Sequence, residues 1–117
     1  MPLATWPSAF LVTVLVELPI VVALTRDIPL SSWRRAAIAL VAQFATHPLV
    51  WFYFPSLVGL AHNESLWLSE GWAWAAEAAI YWLVLPGMRP WRAFGISGIA
   101  NGLSLGTGIA LRALAIG

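Results

Sequence analysis

Four long apolar stretches constrain this chain more than any other feature of its sequence. They cover residues 7–25, 35–54, 66–85 and 91–113, and each is bounded by proline, glycine or charged residues, which are ordinary helix-end signals. A helix that crosses a membrane needs about 20 predominantly apolar residues. The pattern therefore predicts an all-α integral membrane protein with four transmembrane helices in a single domain, residues 1–117. A two-span hairpin with longer re-entrant pieces is the alternative.

Composition excludes an ordinary water-soluble domain. The chain has 117 residues, of which 61% are hydrophobic and 9% are charged, whereas about 25% of residues are charged in soluble domains. A domain of this size has too much surface to hide so many apolar side chains from water. The net charge of +1 does not indicate nucleic-acid binding, and the lack of cysteine excludes disulfides and thiolate metal sites. We expect the lipid bilayer to be the partner.

Arginine placement predicts the orientation of the bundle. The connections at 26–34, 55–65 and 86–90 are short, so consecutive helices should be antiparallel neighbours in an up-and-down four-helix bundle. Because cytoplasmic loops carry an excess of arginine, we expect the first and third connections to face the cytoplasm of a bacterial-type plasma membrane, with both termini on the other side. Five of the six arginines flank those two connections: Arg26, Arg34, Arg35, Arg89 and Arg92.

Two further signals bear on the membrane boundaries. Arg112 is the one arginine near the opposite side, where its long side chain can reach the interface. No basic region precedes the first stretch, so we expect no cleaved signal peptide. Most of the eight tryptophans fall at or near predicted helix ends, which is typical of an interfacial aromatic belt. Trp74 is deeper, and with Tyr81 it is the alternative candidate for a chromophore or quinone pocket.

Polar residues inside the apolar stretches form the candidate site. An acidic side chain at the centre of a membrane helix costs about 2.5 to 3.5 kcal/mol on insertion scales, yet every stretch carries at least one polar group at a similar depth. Spacings of four or seven residues place the members from one stretch on one side of a helix. The predicted cluster, which we expect to face the bundle interior, comprises Glu17, Gln43, His47, Glu70, Glu77, Asn101 and Ser104.

Small residues and prolines add to this picture. Gly98, Gly102 and Gly106 form a GxxxGxxxG series, which lets two membrane helices approach closely. The series predicts a helix-packing face, whose partner is the first helix, the third helix or another protein. Pro19 and Pro48 lie beside acidic or histidine residues and tend to kink helices. Such kinks open a polar cavity, or they reflect the higher frequency of proline in membrane helices.

Two classes of function fit the predicted cluster. Protonated glutamates that only bond neighbouring helices would make this a non-enzymatic accessory or structural subunit, or a self-assembling module, within a homo-oligomer or a larger membrane complex. The alternative is a small proton- or ion-coupled transporter or channel unit, because chains of Glu and His in membrane helices mark proton relays. That alternative uses Glu17, His47, Glu77 and Asn101.

Catalytic and metal-dependent functions have less support. One His and two Glu residues suit a transition metal, but the sequence has no HxxxH, ExxH or ExxE spacing, so we predict no metal and no cofactor. A serine or threonine near His47 could imitate a catalytic triad, but no GxSxG turn is present. The sequence therefore predicts no enzyme.

Overall fold

The structure, a computed structural model, describes residues 6–48 and 62–116, with side chains from 10–47, 67–111 and 113–114. This described part of the chain contains four α-helices and no strand. The helices are α1 (Trp6–Leu24), α2 (Ser32–Pro48), α3 (His62–Val84) and α4 (Pro90–Ile116). The all-α prediction with four helices is confirmed.

Helix starts differ from the sequence prediction for local reasons. The helix predicted to begin at residue 35 begins at Ser32, because the Ser31 hydroxyl accepts a hydrogen bond from the Arg34 amide at 3.4 Å and acts as the N-cap. The helix predicted from residue 66 begins at His62, so the last residues assigned to the second connection are helical. Pro90 is the first residue of α4. Its lack of an amide hydrogen costs no helical hydrogen bond, because the first amides of a helix have no partner within it. The predicted end of the second helix at residue 54 lies outside the described residues.

A tight turn joins α3 to α4. The Met88 amide donates to the Leu85 carbonyl at 3.2 Å, and Gly87 has a φ of 73°, a conformation that side chains disfavour. Proline followed by glycine at the two central positions is the signature of a type II turn. The side chains of Leu85 and Met88 are buried, so the turn is anchored in the core.

The four helices form a closed ring. Each helix contacts the next along the chain, and α4 returns to contact α1. Arg92 near the start of α4 bonds Asp27 just beyond α1, whereas Ser104, three turns later, bonds Glu17 inside α1. The contacts move backward along α1 as they advance along α4, so the two helices run antiparallel.

Two arginines fix the end of the bundle where the first and third connections lie. Arg35 is buried, and its guanidinium Nη1 donates to the Val22 carbonyl at 2.5 Å and to Thr25 Oγ1 at 2.9 Å, which satisfies the end of α1. Arg92 forms a bidentate ion pair with Asp27, with one arm of 2.7 Å, and donates to the Leu24 carbonyl. We call this end of the molecule the arginine end.

The arginine half of the bundle has an apolar core and the other half a polar interior. The apolar core, called here the apolar cluster, consists of Val21, Ile28, Ala39, Ala42, Tyr81, Leu85, Met88, Ala93, Ile96 and Ala100. The polar interior lies beyond this cluster, toward the start of α3, and contains the carboxyl groups of Glu17 and Glu77. The side chain of Arg112 and the residue Trp51 lie outside the described part of the chain.

One described helix is long and apolar enough to cross a membrane, namely α4 over Pro90–Leu111. A shorter apolar segment of α1 covers Phe10–Leu24. In α2 the described helix has 17 residues, and α3 carries Glu70 and Glu77 in its interior. Four helices are therefore present, and the statement that all four cross a membrane stays a prediction.

Candidate functional site: a buried carboxyl pair

Glu17 of α1 and Glu77 of α3 meet at the centre of the bundle. Both side chains are 1% exposed. Gln43 of α2 bridges their carboxyl groups, its Nε2 lying 2.8 Å from Glu17 Oε1 and 3.2 Å from Glu77 Oε1. We call these two residues the carboxyl pair.

Neutral side chains from α2 and α4 complete the surroundings of the carboxyl pair. Asn101 Nδ2 donates to Glu77 Oε1 at 3.1 Å, and Thr46 Oγ1 lies 3.0 Å from Glu77 Oε2. Ser104 Oγ lies 2.7 Å from Glu17 Oε2. The one ion pair among the described side chains is Arg92 with Asp27, so no arginine neutralises the carboxyl pair there.

The closeness of the two carboxyl groups favours a proton between them. Both lie within hydrogen-bond reach of the same Gln43 nitrogen. Two ionised carboxylates in one buried site repel each other, so we expect the carboxyl pair to hold at least one proton. The amide groups of Gln43 and Asn101 add donors but no charge, so a proton is what can offset this repulsion.

The two hydroxyl groups have a second acceptor each. Ser104 Oγ also lies 3.1 Å from the Asn101 carbonyl, and Thr46 Oγ1 lies 3.0 Å from the Ala42 carbonyl. A hydroxyl has one proton and two lone pairs. It can donate to an ionised carboxylate, or accept from a protonated one while it donates to the backbone carbonyl. Both protonation states of each glutamate are satisfied by a rotation of one O–H bond.

A cavity of about 40 Å³ adjoins the carboxyl pair. A buried water needs about 10 to 15 Å³ of such space and polar partners, so the cavity has room for a few water molecules or a small hydrated ion. Besides the carboxyl pair and its hydrogen-bond partners, the cavity is lined by Thr13, His47, Glu70 and Ala73.

His47 and Glu70 lie on the cavity wall, toward the end of the bundle where α3 begins. The His47 ring is buried and meets the Phe10 ring edge-on, with centroids 5.2 Å apart. Glu70 is half-buried and precedes Glu77 by two helical turns on the same side of α3. The structure thus brings all seven predicted cluster residues to one cavity.

The predicted glycine face divides into two parts. A Cβ on Gly98 would lie 3.0 Å from the Trp74 ring, so this glycine makes room for the indole. Trp74 stacks on Phe94 with centroids 4.3 Å apart, and its Nε1 donates to the Phe94 carbonyl at 2.7 Å. Gly102 and Gly106 are exposed, and a Cβ there would meet no described atom within 4 Å. A tryptophan, rather than a second helix backbone, occupies the face within this chain.

Two residues of the site were not predicted from the sequence. Thr46 bonds Glu77, and Thr13 lines the cavity. Ser97, whose spacing does place it on the same side of α4 as Asn101, positions that residue, since Asn101 Nδ2 donates to the Ser97 carbonyl at 2.8 Å. Thr46 follows Gln43 by three residues and therefore shares its side of α2, which is the one signal that could have revealed it. Trp74 and Tyr81 do not line a common pocket of the kind that a chromophore or quinone would need. Trp74 lies partly exposed against α4, whereas Tyr81 is fully buried in the apolar cluster.

No protein-family model, curated protein or solved structure matches this chain. The site is therefore interpreted from its own geometry. In the described part of the chain, no three His, Asp or Glu side chains stand close enough together to form a metal site. What the site offers is two neighbouring carboxyl groups, neutral hydrogen-bond donors and a small polar cavity.

Proposed function

We propose that this chain is an integral membrane protein whose four helices span the bilayer and whose carboxyl pair binds and releases a proton during proton-coupled transport. The observation that carries this proposal is that the hydroxyl groups of Ser104 and Thr46 each have two acceptors, a carboxyl oxygen and a backbone carbonyl. Ser104 and Thr46 satisfy the glutamates in either protonation state without any movement of the helices. A reversible proton site needs this property, and interhelical bonding alone does not.

The distribution of polarity supports a membrane location. The interior contains two glutamates, a glutamine and an asparagine, while large apolar side chains such as Phe94, Ile99 and Leu103 are about half exposed. A water-soluble protein has the opposite arrangement and rarely exposes extended apolar surface. Lipid contact removes the cost of such a surface.

Aromatic and basic residues at the arginine end support a membrane boundary there. Trp33 and Trp91 begin α2 and α4, and each is 67% exposed. The guanidinium of Arg34 lies 5.5 Å from the centre of the Trp33 ring, and that of Arg89 lies 5.3 Å from the centre of the Trp91 ring. Exposed tryptophan beside arginine is typical of the headgroup layer. We propose that this end faces the cytoplasm.

The cavity favours proton transfer over purely structural bonding. A cluster that served only to hold helices together would gain from dry, close packing, since a gap forfeits contacts. Here a polar cavity adjoins the carboxyl pair, and Glu70 and His47 extend the polar lining toward the start of α3. Water in this cavity would connect the carboxyl pair to that end of the bundle.

Proton flux into liposomes that contain the purified protein and an internal pH-sensitive dye tests the proposal. We expect wild-type protein to carry flux under an imposed gradient. Glu17→Gln and Glu77→Gln should each remove it, because an amide keeps the shape of the side chain but cannot carry the proton. Glu64→Gln, in the first turn of α3, is the matched control and should retain flux. Wild-type liposomes without flux, or normal flux in both core variants, would contradict the proposal.

A second candidate is the self-assembling module, favoured by the exposed Gly102 and Gly106. Lipid chains fill such a groove poorly, whereas a second helix packs into it closely. The occupant we propose is α4 of a second copy of this chain. This candidate is compatible with proton transport, because a bundle of four helices rarely encloses a complete path alone.

A further inference from the structure

Polar lining reaches the carboxyl pair from one end of the bundle. Thr13, His47 and Glu70 lie on the side of the carboxyl pair where α3 begins. On the other side, toward the arginine end, lies the apolar cluster. A proton that crosses the bundle must therefore pass through an apolar layer after it leaves Glu77. Such a passage requires a group that can carry a hydrogen bond.

Tyr81 is the member of the apolar cluster that has such a group. Its side chain is completely buried, and its hydroxyl has no hydrogen-bond partner among the described residues. A buried polar group without a partner destabilises the fold, because it gives up its hydrogen bonds to water and gains none in return. Phenylalanine would fill the same space without that cost, so the hydroxyl has no structural value in this arrangement.

The position of Tyr81 relates it directly to the carboxyl pair. It follows Glu77 by one turn of α3, a rise of about 6 Å, on the side that faces the interior. Long side chains in helices lean back toward the N-terminus, which for Tyr81 is the direction of Glu77. Small residues of α2 and α4, including Ala42 and Ala100, belong to the same cluster and leave room for the ring.

We propose that the Tyr81 hydroxyl passes the proton of the carboxyl pair toward the arginine end. This inference rests on the proposed proton transport. In the step, the O–H bond of protonated Glu77 breaks and a new O–H bond forms on Tyr81. The original hydroxyl proton of Tyr81 leaves at the same time to a water molecule that enters from the arginine end. The products are the Glu77 carboxylate, a neutral tyrosine and a hydronium ion, so atoms and charge balance.

No other described ionisable side chain offers this route. Around the carboxyl pair, the ionisable side chains are Glu17 itself on α1, His47 on α2 and Glu70 on α3. His47 and Glu70 lie along the cavity, on the side away from the arginine end. On α4 the described ionisable residue is Arg92, which is paired with Asp27. Arg35 is at the far edge of the apolar cluster and bonds the end of α1. Among the described side chains, Tyr81 is therefore the one ionisable group inside the apolar cluster. The buried Ser97 hydroxyl, one turn of α4 from Asn101, is already used in a hydrogen bond to the Trp74 carbonyl.

The test compares Tyr81→Phe with wild type in the same proteoliposomes. We expect proton flux to fall at least about tenfold, since proton transfer by a positioned group contributes two or more orders of magnitude. Labelling of Glu17 and Glu77 by a hydrophobic carbodiimide, which reacts with protonated carboxyl groups, should stay unchanged. Tyr53→Phe makes the same chemical change at the other tyrosine and is the control.

Stability separates a transfer role from a structural one. Tyr81→Phe should be at least as stable as wild type, because it removes a hydroxyl without a partner. Lower stability of Tyr81→Phe would overturn this inference. Unchanged proton flux in this variant would do the same where the wild type transports protons. Neither result would contradict the proposed role of the carboxyl pair. Absence of flux in wild type would instead overturn the proposed function on which the inference rests.

Discussion

A serine on α4 and a threonine on α2 determine how the buried glutamates are accommodated. Each hydroxyl is shared between a carboxyl oxygen and a backbone carbonyl, so each exchanges the roles of donor and acceptor by rotating one bond. A rotation of this kind is far cheaper than moving a charged side chain through an apolar interior. At the scale of single residues, the site is arranged for changes of protonation.

Asp27 gives a prediction about pH. The guanidinium of Arg92, bonded to both of its oxygens, holds the pKa of Asp27 below its ordinary value. Because the pKa is lower in the folded state, the ion pair stabilises the fold above the unfolded pKa of about 3.9. That stabilisation is lost as pH falls through the lower folded value. We expect the unfolding free energies of wild type and Asp27→Asn to converge in that acidic range.

The measurement is denaturant unfolding in detergent at a series of pH values. Arg92→Gln should show the same loss of pH dependence as Asp27→Asn. Arg89→Gln is the control, because that guanidinium lies over the Trp91 ring at the same end of the bundle. If the unfolding free energies of wild type and Asp27→Asn differed by the same amount at all pH values, the ion pair would not stabilise the fold through its charge.

At the scale of single residues, the depth of a polar side chain along its helix was easier to predict than its hydrogen-bond partner. Glu17, Glu77 and Asn101 could be assigned to one depth because the rise of a helix is constant and an acidic group in an apolar stretch is conspicuous. Thr46 was missed because a threonine in an apolar helix can bond its own backbone, so its three-residue spacing from Gln43 is a weak signal. The buried position of Tyr81 was missed because tyrosine also suits the membrane interface.

The contact between α3 and α4 gives a prediction at the scale of helices. Gly98→Ala would place a methyl group 3.0 Å from the Trp74 ring, which is held by its stacking on Phe94 and by its hydrogen bond to the Phe94 carbonyl. Because the ring cannot retreat freely, we expect a loss of about 1 to 3 kcal/mol in unfolding free energy. Gly95→Ala adds a methyl group at an exposed position of the same helix where no atom lies within 4 Å and is the matched control.

Gly95→Ala should leave stability unchanged or raise it by up to about 1 kcal/mol, because alanine favours the helix over glycine. Equal effects of the two substitutions would mean that Trp74 does not depend on Gly98. The comparison needs only unfolding curves measured under one detergent condition.

The number of helices was predicted from the apolar runs, but the rotation of each helix was not. A helix that is apolar on all sides, as α1 is apart from its few polar residues, gives no pattern that fixes which side faces its neighbours. The glycine series shows the result. Its spacing predicts a side where something can approach closely, but it does not specify that an indole ring lies at Gly98 while Gly102 and Gly106 are open.

In the described bundle, one half of the interior is polar while many large apolar side chains lie on the outside, and this arrangement leads to a prediction about assembly. If α4 of a second copy packs on the open glycines, the protein in mild detergent should be a homo-oligomer. Gly102→Leu should convert it to a monomer, because the larger side chain prevents close approach of the two backbones. Gly71→Leu, at an exposed glycine of α3 with equally open surroundings, should not. Native mass spectrometry gives the answer, and a monomeric wild type would contradict the proposal.

In the proposed transport, the volume beside the carboxyl pair favours a cargo that needs little room. About 40 Å³ holds a few water molecules, so a proton carried by water fits without any rearrangement of the helices. A solute much larger than this water cluster would need either a wider cavity or a path outside the four-helix core, along a surface where two copies or two different proteins meet.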